Sequence, residues 1–289
     1  MKPDIFYATS LKNAPAVQNL AIGSFDGLHV GHMNVICGGQ CDAVLTFSGQ
    51  RRDGFIMGHA EQMNILADTE VKTLINIPFD DIRGLEPAEF IELLCGTIKP
   101  KRLAVGENFR FGKQASGDIA ALEMLCRERC IKLYTAPYAV YNGEPVSSTR
   151  IREAITAGDM TAAAAMLGRP HFVVLPVTEG EQRGRRMGFH TINQLLPNER
   201  VILRYGVYGS NTIIDDEKYP SVTNIGVRPT FGRNVPNIET HILSFDNEVY
   251  GRNIIVEFLE YYREERQFSS SEELVRQISL DVKCRIGKE

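Results

Sequence analysis

A chain of 289 residues with 43% hydrophobic and 24% charged residues has the make-up of about two globular domains, and this composition excludes a largely disordered protein. Its formal charge of -4 divides almost evenly, 16 basic against 19 acidic residues through Gly168 and 16 against 17 after it, so neither half has the basic excess of a nucleic-acid binder. No run of about 18 apolar residues occurs, and Met1-Lys2-Pro3-Asp4 lacks the basic-then-apolar pattern of an export signal; a cytoplasmic protein with no membrane partner is expected.

Along the first half, short apolar runs predict strands at 19–22, 43–47, 73–77, 102–105 and 132–136. Helical spacing appears at 87–94 and at 119–130, the latter with Asp118 as its cap. Strands joined by helical crossovers imply a mostly parallel sheet. A small-residue stretch, 151–167, reads as one helix stopped by Gly168-Arg169-Pro170, which sets the expected domains at 1–168 and 169–289. Beyond it the texture alternates: 172–177, 201–208, 212–214, 219–224, 237–243 and 254–262 read as strands between Gly, Asn and Asp turns, as in an antiparallel barrel or sandwich. Ser270 with Glu273 forms a capping box for a terminal helix, with Leu274 and Ile278 starting its apolar face. The six cysteines (Cys37, Cys41, Cys95, Cys126, Cys130, Cys284) are scattered, without zinc-knuckle spacing, and are expected to be reduced thiols. Nothing in the pattern specifies an oligomeric state.

Three motifs carry chemistry in the first half. Gly23-Ser24-Phe25-Asp26-Gly27-Leu28-His29-Val30-Gly31-His32 runs from a strand end into a helix, where free N–H groups and the helix dipole suit a phosphate and two histidines can face one anion. Gly106-Glu107-Asn108-Phe109-Arg110-Phe111-Gly112-Lys113 also follows a strand. It is not a P-loop, because five residues rather than four separate its glycines and Gln114 stands where the Ser/Thr should be. Ser147-Ser148-Thr149-Arg150-Ile151-Arg152 opens a helix with hydroxyls suited to capping and phosphate binding.

In this order the three segments resemble the His-x-Gly-His nucleotidyltransferases, and among them the bacterial-type FAD synthetases. The resemblance implies a Rossmann-like α/β domain that joins FMN to the α-phosphorus of ATP, releasing pyrophosphate. It assigns His29 and His32 to catalysis and Gly23, Phe25, Asp26, Gly31, Ser148, Thr149 and Arg152 to ATP phosphates. Asn108, Phe109 and Arg110 would line the flavin pocket. Such a transfer between two anions rests on alignment and charge neutralisation.

In the second half, Gly184-Arg185-Arg186-Met187-Gly188-Phe189-His190-Thr191-Ile192-Asn193, then 224–231 and Glu239-Thr240-His241, resemble riboflavin kinases. This implies an antiparallel β-barrel with a terminal helix. Gly184, Arg185, Gly188, Thr191 and Asn193 would hold ATP, Thr191 and Asn193 would hold Mg²⁺, and Glu239 would be the general base for the ribityl hydroxyl. Riboflavin, FMN and ATP are the implied small-molecule partners, with Mg²⁺ accompanying ATP and FAD as the product.

Two departures bear on activity. His190 stands where the kinase signature has proline, losing a fixed φ before Thr191. About ten residues separate His32 from Ala43, barely enough for a parallel crossover, and Thr46-Phe47-Ser48-Gly49-Gln50 replaces a segment ending Pro-His-Pro. The alternative to a bifunctional enzyme is therefore a riboflavin kinase whose first domain binds nucleotide or flavin without catalysis. A non-catalytic flavin-binding protein is a third possibility.

Overall fold

The computed structural model describes residues 5–49, 52–179, 191–230 and 233–287. Contacts divide the chain into two compact units, neither of them one continuous segment: Met1–Arg51 with Gln62–Ser148, and Arg52–Glu61 with Thr149–Glu289.

The first unit is built on a parallel sheet of β1 (Phe6–Ala8), β2 (Asn19–Ile22), β3 (Ala43–Ser48), β4 (Thr73–Pro78), β5 (Arg102–Gly106) and β6 (Lys132–Ala136), in the order β1-β4-β3-β2-β5-β6. The central strands are buried on both faces. Leu20, Ala21, Ile22, Ala43, Val44, Leu45, Leu103, Ala104 and Val105 are all sealed from solvent, which is why they read as unbroken apolar runs. Around the sheet lie α1 (Val30–Gly38), α3 (Pro87–Thr97) and α4 (Ile119–Glu128); α2 (His59–Leu66) spans the division between units. A short ribbon, β7 (Val140–Tyr141) with β8 (Glu144–Pro145), follows β6.

The brief crossover is sufficient. Nine-residue α1 carries the chain from β2 to β3, and the parallel pairing Leu20↔Ala43 forms. Its last turn lies very close to the sheet: a Cβ on Gly39 would sit 2.5 Å from Ala104, and one on Gly38 would collide with the Tyr134 hydroxyl.

The stretch 151–167 is two helices rather than one, α5 (Ser148–Ala157) and α6 (Met160–Leu167). Gly158, at φ +80°, ends the first, and the Asp159 side chain caps the second by accepting from Ala162 N. Gly168 does close α6 in the left-handed conformation.

The second unit is an antiparallel sheet of β9 (His171–Pro176), β10 (Thr191–Leu195), β11 (Gly206–Ile214), β12 (Glu217–Thr230), β13 (Arg233–Ile242) and β14 (Asn253–Arg263), ordered β10-β13-β12-β11-β14-β9. The two edges meet where Thr178 N donates to Asn193 O at 2.8 Å, so the sheet curls into a barrel. The segments expected at 201–208 and 212–214 are instead one strand starting at Gly206. Its core face mixes Tyr208 and Ile214 with Ser210 and Thr212, whose hydroxyls bond with those of Ser221 and Thr223 at 2.7–3.0 Å.

α7 (Ser271–Ile286) starts at Ser270, whose Oγ accepts from Glu273 N, but the capping box is half-formed: Glu273 Oε2 accepts from Ser269 N and Oγ one residue earlier rather than from Ser270 N. The helix also docks differently. Leu274 and Ile278 are only half-buried, while buried Asp281 takes a two-pronged bond from Arg263 at 3.0 and 2.7 Å and buried Arg285 donates to Ser210 O and Asn211 Oδ1.

The inserted segment 52–61 is stitched to this unit by the parallel bridge Phe55↔Arg200 and by the ion pair Glu61–Arg200 at 3.0 Å. Among the described residues no helix is long and apolar enough to cross a membrane. All six cysteines are free thiols.

Candidate active sites

In the first unit the chain leaves β2 toward β3 and β4 on one side, then returns to β5 on the other. A sheet of this kind opens a crevice at the carboxyl ends of the strands flanking that reversal, here β2 and β5. The first two sequence motifs occupy those two ends.

His29 is the N-cap of α1, and its Nδ1 accepts from His32 N at 3.3 Å, which leaves Nε2 as the nitrogen that carries a proton in the neutral ring. The two imidazoles stack at 3.6 Å between centroids, 18° from parallel, and Phe25 meets His32 edge-on at 5.2 Å. Gly31 permits this, since a Cβ there would sit 3.2 Å from His29 Cε1. Asp26 is buried, and its carbonyl accepts from Ser148 Oγ at 2.8 Å, so the first hydroxyl of the third motif touches the loop of the first. Gly23 lies just past β2.

Past β5, Asn108 and Arg110 are exposed and Phe109 is half-buried, stacked on Phe111 at 5.6 Å. Arg110 pairs with Asp118 at 3.6 Å, an exposed contact of little energetic weight. Glu107, which the sequence did not single out, accepts from Tyr138 N at 2.7 Å and ties this turn to the chain after β6. Thr149 and Arg152 fall in the second unit by their contacts. There Arg152 is buried and its Nε donates to Gly54 O at 2.9 Å, an anchor for the inserted segment that sequence spacing could not reveal.

In the second unit, antiparallel register sets Asn193 of β10 opposite Glu239 of β13, with Asn224 of β12 on Glu239's other side. Thr191 Oγ1 donates to Glu239 Oε1 at 3.0 Å. A hydroxyl, an amide and a carboxylate thus share one face of adjacent strands. Gly184, Arg185 and Gly188, with His190, lie outside the described residues. Two further residues join the cluster: Asn237 Nδ2 donates to Asn193 Oδ1 at 3.1 Å, and Asn224 Nδ2 donates to Glu265 Oε1 at 2.9 Å. Period-two alternation along β13 from Glu239 would have pointed to Asn237. Among the described residues no group of three or more His, Cys, Asp or Glu could hold a metal ion.

Two family models match the chain, one described as FAD synthetase over residues 11–150 and one as riboflavin kinase over residues 167–285. Similar proteins include one from Pseudomonas fluorescens, 33% identical and covering 90% of this chain and 89% of its own length. Others are from Bacillus subtilis (strain 168), at 29% with 94% and 92% covered, and from Escherichia coli (strain K12), at 31% with 91% and 90%. Each of the three is named a bifunctional riboflavin kinase/FMN adenylyltransferase. A crystal structure described as a macrolide-efflux protein from Streptococcus pneumoniae superposes with a TM-score of 0.83 over 96% of this chain and 97% of its own, at 24% identity, and so has the same fold.

Proposed function

The chain belongs to the family of bifunctional riboflavin kinase/FMN adenylyltransferases, and from that premise we propose that it phosphorylates riboflavin to FMN with ATP in its second half and adenylylates FMN to FAD, releasing pyrophosphate, in its first. The observation that carries the reading is the convergence of Thr191, Asn193 and Glu239 on neighbouring strands, with the Thr191–Glu239 bond at 3.0 Å.

In the kinase step, Glu239 accepts the proton of the ribityl 5′-hydroxyl as the hydroxyl oxygen attacks the γ-phosphorus of ATP, and ADP leaves as the bond to the β,γ-bridging oxygen breaks. Gly184, Arg185 and Gly188 bind the nucleotide. Thr191 and Asn193 offer the hard oxygens that Mg²⁺ takes in small number, completing its shell with phosphate and water, so these residues fit the ion. Mg²⁺, when bound with ATP, neutralises charge on the transferred phosphoryl group.

In the adenylyl step, the FMN phosphate attacks the α-phosphorus. His29 and His32 stabilise charge building on it, and Gly23, Phe25, Asp26, Gly31 and Ser148 shape the phosphate pocket at the start of α1. Asn108, Phe109 and Arg110 receive the flavin. Thr149 and Arg152 act on the pyrophosphate, and Arg152 also anchors the inserted segment. A cytoplasmic setting is part of this proposal. The short crossover that motivated a kinase-only alternative is completed by α1 with its His29 cap in place, which favours the bifunctional reading.

The test is chromatography of flavin products from the purified protein with ATP and Mg²⁺, started from riboflavin and separately from FMN. FMN followed by FAD is expected. FMN formed from riboflavin, with no FAD in either arm, would leave only the kinase.

A further inference from the structure

Asn237 stands two residues before Glu239 on β13, opposite Leu195 of β10, and therefore on the strand face that carries Glu239. Its Nδ2 donates to Asn193 Oδ1 at 3.1 Å. A side-chain amide can present either oxygen or nitrogen to its surroundings, and only the oxygen binds a cation. With a donor from Asn237 in place, a reversed Asn193 amide would set two NH₂ groups against each other. In this pairing Asn193 cannot reverse on its own, so its carbonyl is held as the acceptor with its second lone pair left for a ligand.

Fixing that carbonyl is not favoured by stability. Asn237 Oδ1 is buried and accepts no hydrogen bond in the structure, an unmet demand that folded proteins rarely keep without functional reason. We propose that Asn237 is a positioning residue for the kinase reaction, holding the Asn193 amide in the orientation that ligates the metal of the ATP complex. The proposal rests on the assignment of the β10–β13 pocket as the kinase site.

Metal binding is read directly. Mn²⁺, whose free form is counted by electron paramagnetic resonance, is titrated into the full-length protein with ADP, beside the Mg²⁺ dependence of riboflavin phosphorylation. Removing the partner that orients a ligand should weaken metal binding roughly ten- to a hundred-fold. Asn237→Leu should show that loss in the kinase-dependent class of Mn²⁺ sites, with Mn²⁺ bound elsewhere unchanged as reference and a melting temperature within about 2 °C of the parent, because one buried unmet oxygen, Asn237 Oδ1, is exchanged for another, Asn193 Oδ1 without its donor. Asn237→Ala is judged by the same Mn²⁺ criterion should the leucine variant not fold. Unchanged Mn²⁺ affinity in the variants overturns the proposal, as does a loss matched by a fall in melting temperature, which marks a structural role. Asn193→Ala separates the two layers. If it leaves Mn²⁺ binding and phosphorylation intact, the pocket assignment fails and the proposal with it.

Discussion

The ion pair between Glu61 and Arg200 gives the sharpest test of how the second unit is held together. The pair is 3.0 Å apart with side chains 2% and 5% exposed, and Glu61 also accepts from Val174 N at 2.8 Å and Gly58 N at 2.9 Å. Arg200 donates to Ile56 O as well. Glu61→Gln keeps the shape but strands a buried guanidinium, which costs about 3–5 kcal/mol. For a unit of about 150 residues, each kcal/mol lowers the melting temperature by roughly 2–4 °C, so a fall of about 6–20 °C is expected. Differential scanning calorimetry of the variant beside the parent reads it. The pair Glu61→Leu with Arg200→Met should recover most of the loss, because desolvation of both charges is then removed. A shift under about 2 °C for Glu61→Gln would refute the claim that the carboxylate compensates a buried charge.

Other outcomes follow from the same structure. Glu239→Gln should lower FMN formation by about 10²–10⁴-fold while FMN supplied directly still becomes FAD, and His29→Gln should give the opposite split; a variant that blocks both products would contradict the separation of sites. Burial, with the charges of Arg200 and Arg169 beside it, pushes the His171 imidazole down to about 3. The unfolded chain then binds the extra proton between that value and the ordinary 6.5, so stability should fall as the pH drops below about 6.5, by up to about 1.4 kcal/mol per unit, and His171→Phe should flatten that slope in melting curves. Exposed Cys37, Cys130 and Cys284 should react quickly with a thiol reagent. Cys41 and Cys126, buried with thiols pushed up to about 12 and about 11, should react only after unfolding; early modification of either would contradict their burial.

The parallel sheet was legible because its strands are sealed on both faces, and runs such as Leu20–Ile22 and Ala43–Leu45 carry no competing signal. β1 escaped notice as a three-residue edge, with Phe6 and Tyr7 exposed. In the barrel, Gly209-Ser210-Asn211 reads locally as a turn, yet it lies mid-strand because the hydroxyls satisfy one another across β11 and β12. β10 is one of the barrel's edge strands and includes the polar Asn193 and Gln194, whose bonds to Thr178 and to Leu175 and Ile254 are tertiary and leave no local trace. The candidate site residues surfaced through motif spacing. Arg152 shows the limit of that signal, since the spacing that marked it for phosphate says nothing of the Gly54 carbonyl its Nε meets.

The detour of ten residues, Arg52–Glu61, makes the two halves inseparable by a single scission. Residues 149–289 expressed as a fragment would retain the strands β9 to β14 yet lack the Glu61 carboxylate that pairs with Arg200 and the backbone that Val201 N meets at Phe55 O. Any gene truncated for modular use, or any swap of halves between relatives, must carry this short upstream piece along or supply a substitute for it.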